Sequence, residues 1–181
     1  SVTGTLTLVP NSNLPYLIGS EFQVPQGQTL IYTPGVVTKF SRYGLDIAGA
    51  FYVQGTKENP VYFTSLKDDT VDGDSNQDGT ATSPAAGDWY SIHINATGAA
   101  IVDYAVVRDG GTSSYAAITA EGGKLTITNS TISHNTFYGV YVTDASPVIT
   151  NTHFFSNVGG LSFYSPSSAL VNPIVRDNEK D

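Results

Sequence analysis

Apolar and polar residues alternate in short runs along this chain, and nowhere do apolar residues recur at the spacing of an amphipathic helix. In the C-terminal half the runs repeat. Segments beginning at Ile101, Ile127, Ile149 and Leu170 each carry an aliphatic residue, Asn or Asp two places on, another apolar residue, and a second Asn or Asp. The first Asn/Asp positions, Asp103, Asn129, Asn151 and Asn172, are separated by 26, 22 and 21 residues. Between the segments lie further alternating runs at 117–120, 139–143 and 160–164. The N-terminal half has the same texture: 34–40, 45–49, 51–56 and 59–65 alternate and are split by Gly or Pro turns.

A repeat of about 20–25 residues holding three short strands is the length of one solenoid turn. Alternate side chains then point inward and stack on the equivalent position one rung away. Asn tolerates the left-handed backbone of a sharp corner, and stacked Asn side chains can hydrogen-bond along the coil. Asp103–Asn129–Asn151–Asn172 and Asp109–Asn135–Asn157–Asn178 are the expected ladders. The competing explanation is a β-sandwich with Asn-rich turns; two columns held over four segments favour the coil. The pattern predicts an all-β chain: a single-stranded right-handed parallel β-helix (solenoid) of about six coils, one domain over 1–181. Residues 1–20 are expected to cap it and 66–88 to form an acidic loop insertion.

The run from Pro34-Gly-Val-Val through Gln54-Gly-Thr and Asn59-Pro-Val-Tyr-Phe-Thr-Ser to Gly87-Asp-Trp resembles the opening of bacterial surface and secreted proteins with parallel β-helix repeats. That resemblance spans nearly the whole chain. It implies a fold similar to the pectate lyases. It leaves function open, because such proteins include adhesin-like and carbohydrate-binding members alongside polysaccharide lyases and hydrolases.

Composition narrows the setting. Only 13% of residues are charged, against about a quarter in ordinary globular domains. A net charge of −8 argues against nucleic acid and against anionic lipid surfaces. Cysteine is absent, so neither disulfides nor thiolate metal sites arise. No apolar run reaches the ~18 residues of a membrane span. The opening residues lack signal-peptide character, so the chain is expected to be a mature or excised piece of something longer. Together these predict an extracellular or cell-surface location.

Six of the 16 acidic residues crowd into 66–88: Asp68, Asp69, Asp72, Asp74, Asp78 and Asp88, with Lys67 beside them. Within this stretch, Asp74-x-Asn76-x-Asp78-Gly79 has the oxygen ligands and turn glycine of the first half of an EF-hand-type loop. Thr80 stands where a backbone carbonyl ligand is expected, but position 12 is Ala85 instead of a bidentate Glu. A free-standing calcium loop is expected, with Asp74, Asn76, Asp78, Thr80, Asp72 and Asp69 as ligands and Asp68 or Asp88 as further candidates. The alternative is a solvated acidic loop.

On the third expected sheet, Ile92, Ile94, Ile118, Val140, Val142, Leu161 and Phe163 should point inward. Ser91, His93, Ala117, Thr119, Tyr141, Thr143, Ser162 and Tyr164 should face out, a set without carboxylate, Lys or Arg. Lyases and hydrolases need such groups, so no catalytic residue is assigned and the reading leans away from an enzyme. Arg108 and Arg176 are expected to pair with Asp109 and Asp177 at the surface. Trp89 is expected to pack beneath the acidic loop. Tyr141, Tyr164, His93 and Tyr138 are the candidate ligand-binding residues, since aromatic rings with polar tips suit sugar stacking or protein contact. A polysaccharide or surface-protein partner is expected, with a plain structural spacer as the competing role.

Overall fold

The computed structural model describes residues 1–12, 14–164 and 169–179. Its strands follow one another three to a turn. The first turn carries β1 (Thr5–Leu8), β2 (Tyr16–Ile18) and β3 (Phe22–Val24). The second carries β4 (Thr29–Tyr32), β5 (Val37–Phe40) and β6 (Leu45–Ile47). The third carries β7 (Ala50–Gln54), β8 (Val61–Ser65) and, after the long acidic loop, β9 (Ile92–Ile94). Next come β10 (Ala99–Asp103), β11 (Ala105–Arg108) and β12 (Ile118–Glu121), then β13 (Lys124–Thr128), β14 (Thr131–Ser133) and β15 (Tyr138–Thr143). β16 (Val148–Thr150), β17 (His153–Phe155) and β18 (Gly159–Tyr164) form the sixth turn, and β19 (Ala169–Val171) and β20 (Ile174–Val175) open the seventh.

Every third strand joins the same sheet. The first sheet runs β1-β4-β7-β10-β13-β16-β19, the second β2-β5-β8-β11-β14-β17-β20, and the third β3-β6-β9-β12-β15-β18. All these pairings are parallel. The chain is a right-handed parallel β-solenoid of about seven turns, as the repeat pattern predicts in kind but not in number. The extra turn comes from residues 1–20, where β1 pairs with β4 and β2 with β5 instead of only plugging an end. Val2 also folds beneath the coil and is buried.

Parallel register turns sequence periodicity into stacked columns. Val24, Ile47, Ile94, Ala120, Val142 and Phe163 form one inward column of the third sheet. Phe63, Val107, Ile132, Phe154 and Val175 form another in the second. Of the residues expected inside the third sheet, Ile92, Ile94, Ile118, Val140 and Val142 are fully buried, and Leu161 and Phe163 are half-buried against the core. Each such side chain contributes about 1.5–3 kcal/mol by leaving water. In the second and third turns Tyr32, Phe40, Phe51, Phe63 and Trp89 fill the interior, with Trp89 stacked on Phe40 at 4.5 Å. Gly110 lies against the Trp89 indole so closely that a Cβ would stand 2.7 Å from the ring.

Both side-chain ladders form. Asn129 Nδ2 donates to Asp103 Oδ1, Asn151 Nδ2 to Asn129 Oδ1, and Asn172 Nδ2 to Asn151 Oδ1, at 2.9, 3.3 and 3.3 Å. In the second, Asn135 Nδ2 donates to Asn157 Oδ1 at 2.8 Å and Asn157 Nδ2 to Asn178 Oδ1 at 3.0 Å. The first member of each column is displaced, however. The left-handed corner shared with Asn129, Asn151 and Asn172 is Tyr104, at φ 48°, not Asp103. Likewise Asp109 shares its corner with His134, Ser156 and Asp177, while Gly110 N donates to Asn135 Oδ1. The rung is 25 residues there, so a 26-residue spacing puts the acid one position early.

The two ladders differ in burial, which sets their energetic weight. Asn157 is buried; its amide also donates to Ile132 O, and its Oδ1 accepts the Asn135 backbone N–H. Asn157→Ala strands these groups away from water and should cost about 3 kcal/mol, whereas Asn151→Ala on the exposed ladder should cost about 1 kcal/mol or less. Paired urea melts check the contrast; equal losses would mean the buried ladder holds nothing.

Candidate ligand groove and acidic loop

The outer face of the third sheet carries a groove of about 570 Å³ that spans the first to the fourth turns. Tyr43, Tyr90 and Tyr115 line it together with Asp46, His93 and Glu21. Strand alternation explains the placement. In β6 and β9, Leu45 and Ile47, then Ile92 and Ile94, point inward, so Asp46 and His93 point out and are register partners. The Nδ1 atom of His93 lies 3.2 Å from Asp46 Oδ1, and its Nε2 lies 3.4 Å from Glu121 Oε2. That Nε2 is shielded from solvent without a directed hydrogen bond. The His93 ring meets Tyr115 edge-on at 6.0 Å. Arg42 sits on the rim, its Nε donating to the Tyr90 hydroxyl at 3.2 Å.

This corrects the expectation of an outer face without carboxylates. Asp46 and Glu121 flank His93, and Glu21 joins them in the groove. Ser91, Ala117 and Thr119, expected in the open, are buried. They are short side chains beside larger ones, and Ser91 Oγ lies 3.3 Å from Thr119 Oγ1.

Above the groove the aromatic row continues. Register puts Tyr138 two rungs above Tyr90, with Ala116 between them and Tyr115 alongside. Phe137 and Tyr138 rings lie 4.6 Å apart, Tyr138 and Tyr141 6.3 Å, and Tyr141 and Tyr164 6.1 Å. Tyr138, Tyr141 and Tyr164 therefore form one cluster, with Tyr164 the most exposed. His93 belongs to the groove two rungs below Tyr141, with Thr119 between them.

The 66–88 loop is held down by more cations than its own sequence offers. Arg108 Nε donates to buried Asp68 at 2.9 Å; the Arg108 contact with Asp109 is only 3.9 Å, so the expected neighbour pair is secondary. Thr64 Oγ1 lies 2.6 Å from Asp68 Oδ2 and 2.8 Å from Asp109 Oδ2. Lys67 Nζ meets Asp88 Oδ1 at 2.7 Å. Lys39, wholly buried, donates to Gly73 O at 2.6 Å and Ser75 Oγ at 2.8 Å. Burial pulls its ammonium below the usual lysine value, against the opposing pull of Asp68, Asp69, Asp72 and Asp74. Trp89 lies at the loop's base, its Nε1 donating to Arg108 O.

The loop tip gathers a cluster of converging oxygens. Carboxylate oxygens of Asp69, Asp74 and Asp78 lie within 4.8 Å of one another. Asp74 accepts the Gly79 and Asp78 backbone N–H groups at 2.8 and 3.2 Å, and Asn76 Nδ2 donates to Asp78 Oδ2 at 2.8 Å. These bonds leave Asp69 Oδ1, Asn76 Oδ1 and Asp78 Oδ1 buried without partners. Asp72 is not among the converging carboxylates, and Thr80 is exposed just beyond the Gly79 turn.

Arg176 is exposed and pairs with Asp177 at 3.8 Å, while its Nε also reaches His153 Nε2. The three histidines thus have three separate settings, with His134 against Asp109 at 2.6 Å.

For Asp68, burial works against the charged form, yet hydrogen bonds from Thr64 and Thr70 and the Arg108 guanidinium prevail and hold it below the ordinary value of 3.8. A depressed carboxyl stabilises the fold above its unfolded pKa and loses that contribution as pH falls through the folded one. Asp68→Asn should therefore cost about 2 kcal/mol at neutral pH, and the gap from wild type should close in melts run progressively below pH 3.8. A gap that stays constant to the lowest pH would remove the charge from the account.

No curated protein and no solved structure matches this chain. Residues 88–181 match the family model described as "Right handed beta helix region", over just the turns where the Asn ladders and the aromatic cluster lie. With that match covering half the sequence and the same coil extending through the N-terminal turns, the chain belongs to the right-handed β-helix family.

Proposed function

We propose that the protein is a carbohydrate-binding or adhesion module of a bacterial surface or secreted protein, stiffened by a calcium ion in its acidic loop. One observation carries the binding role. Aromatic rings follow one another up one side of the coil, from Tyr43, Tyr90 and Tyr115 in the segments leading into β6, β9 and β12 to Tyr138, Tyr141 and Tyr164 on β15 and β18. Rings held on or beside a rigid sheet present flat apolar faces with polar tips at little entropic cost on binding. An extended polysaccharide lying across the rungs could contact several at once. Low charge and absent cysteine support the exterior setting.

Calcium is supported by the three buried unpartnered oxygens, which are hard ligands of the type the ion prefers. Asp69, Asn76 and Asp78 would supply them, with Asp74 completing the carboxylate set. The ion would neutralise the loop tip, beyond the reach of Lys67 and Arg108. A second reading, a polysaccharide-cleaving enzyme, is favoured by Asp46–His93–Glu121, where an imidazole stands between carboxylates in the groove.

Two experiments test these assignments. On a glycan array, the wild type should bind a polysaccharide class and the Tyr141→Ala/Tyr164→Ala protein should bind it about five- to thirtyfold more weakly, the loss of about 1–2 kcal/mol of ring contact. Binding to nothing would favour a spacer, and new reducing or unsaturated ends on a bound glycan would favour the enzyme. For the loop, calcium at a hundredfold excess over its Kd should stabilise the fold by about 2.7 kcal/mol, and Asp78→Asn should abolish the gain. A melting midpoint indifferent to both calcium and chelator would rule the ion out.

A further inference from the structure

We infer that the groove around His93 is selective for a cationic saccharide, one bearing free amino groups such as a glucosamine oligomer, over neutral or uronate chains. This rests on the carbohydrate reading of the same face and assigns it a ligand chemistry. The groove joins two features that together suit an ammonium-bearing sugar. Its walls are aromatic: Tyr43 and Tyr90 at 6.2 Å from each other, and Tyr115 against His93. Its fixed charges are acidic: Glu21 and Asp46 line it, and Glu121 stands beyond His93. No lysine or arginine is among its lining residues. Arg42, the rim cation, is turned onto the Tyr90 ring and hydroxyl.

An ammonium held over a tyrosine face is attracted by the ring quadrupole, and more strongly in a partly desolvated setting. A carboxylate within a few ångströms adds to that attraction and repels a uronate by the same Coulomb term. His93 is positioned by Asp46 and Glu121, so the imidazole braces the acidic residues of successive turns. Asn95, also in the lining, offers an amide partner for sugar hydroxyls. The overall charge of −8 favours the approach of such a ligand and disfavours polyuronates.

The test is calorimetric titration of the intact protein at low salt with three short oligomers of equal length: glucosamine, N-acetylglucosamine and galacturonate. The glucosamine oligomer is expected to bind about tenfold more tightly than its acetylated form, the sum of a few partly exposed charge contacts. Asp46→Asn should erase that preference while leaving the weaker neutral binding, and Tyr90→Ala should reduce both. Asp74→Asn in the distant acidic loop should leave the preference intact. If Asp74→Asn removes as much as Asp46→Asn, the attraction is diffuse and the groove is not the site. Equal binding of the glucosamine and acetylated oligomers, or preference for galacturonate, overturns the cationic assignment while sparing the carbohydrate reading. No binding by any oligomer at millimolar concentration sinks both.

Discussion

Parallel hydrogen bonding between successive turns is the constraint on which everything else in this molecule rests. Each rung takes its backbone partners from the rungs beside it, so a residue about two dozen positions away becomes a vertical neighbour. A slip of one residue in any rung would turn its apolar set outward. The corners guard against that slip. Left-handed backbone recurs at Tyr104, Asn129, Asn151 and Asn172, and again at Asp109, His134, Ser156 and Asp177. Beside those corners the buried Asn135 and Asn157 amides bond both to one another's side chains and to backbone N–H groups. A shifted rung would break both sets together.

The acidic loop is tied to this frame at both ends. Asp88 N and Gly87 N donate to Asp109 O, and Arg108 reaches back to Asp68. A loop of this length would otherwise wander, since backbone ordering costs about 1–2 kcal/mol per residue. The anchors come from distant parts of the chain: Lys39 from β5 and Arg108 from β11. Arg108 meets Asp68 near the start of the loop and Lys39 reaches Gly73 and Ser75 beside Asp74, yet three carboxylates still converge at the tip.

The groove and the aromatic row are products of stacking across turns, with no contiguous motif behind them. Asp46, His93 and Glu121 come from three consecutive turns, and their chemistry exists only because β6, β9 and β12 are vertical neighbours. Carrying them on adjacent sheet strands keeps their geometry stiffer than a loop could. The same rigidity spaces the tyrosines.

Much was legible in the sequence, and the reason is periodicity. Alternation and the recurring Asn positions determined the coil, the inward column from Ile92 to Phe163, the Asn ladders and the Tyr141–Tyr164 contact. Those features depend on separations of 21 to 26 residues within an uninterrupted run. The one-place shift at Tyr104 and Asp109 was hidden because Asp resembles Asn at a corner. Asp46 was missed for a different reason. The 66–88 insertion sets it 47 positions from His93, masking a kinship visible only in the matching Leu45-Asp46-Ile47 and Ile92-His93-Ile94 triplets. Lys39 and Arg108 gave no sign of their roles. Both lie in ordinary alternating strands, and only the folding of the loop across those strands decided which carboxylates they meet. Local pattern determines what repeats along the axis. Tertiary structure alone decides where an insertion that breaks the period comes to rest, because its contacts depend on three-dimensional proximity and not on spacing along the chain.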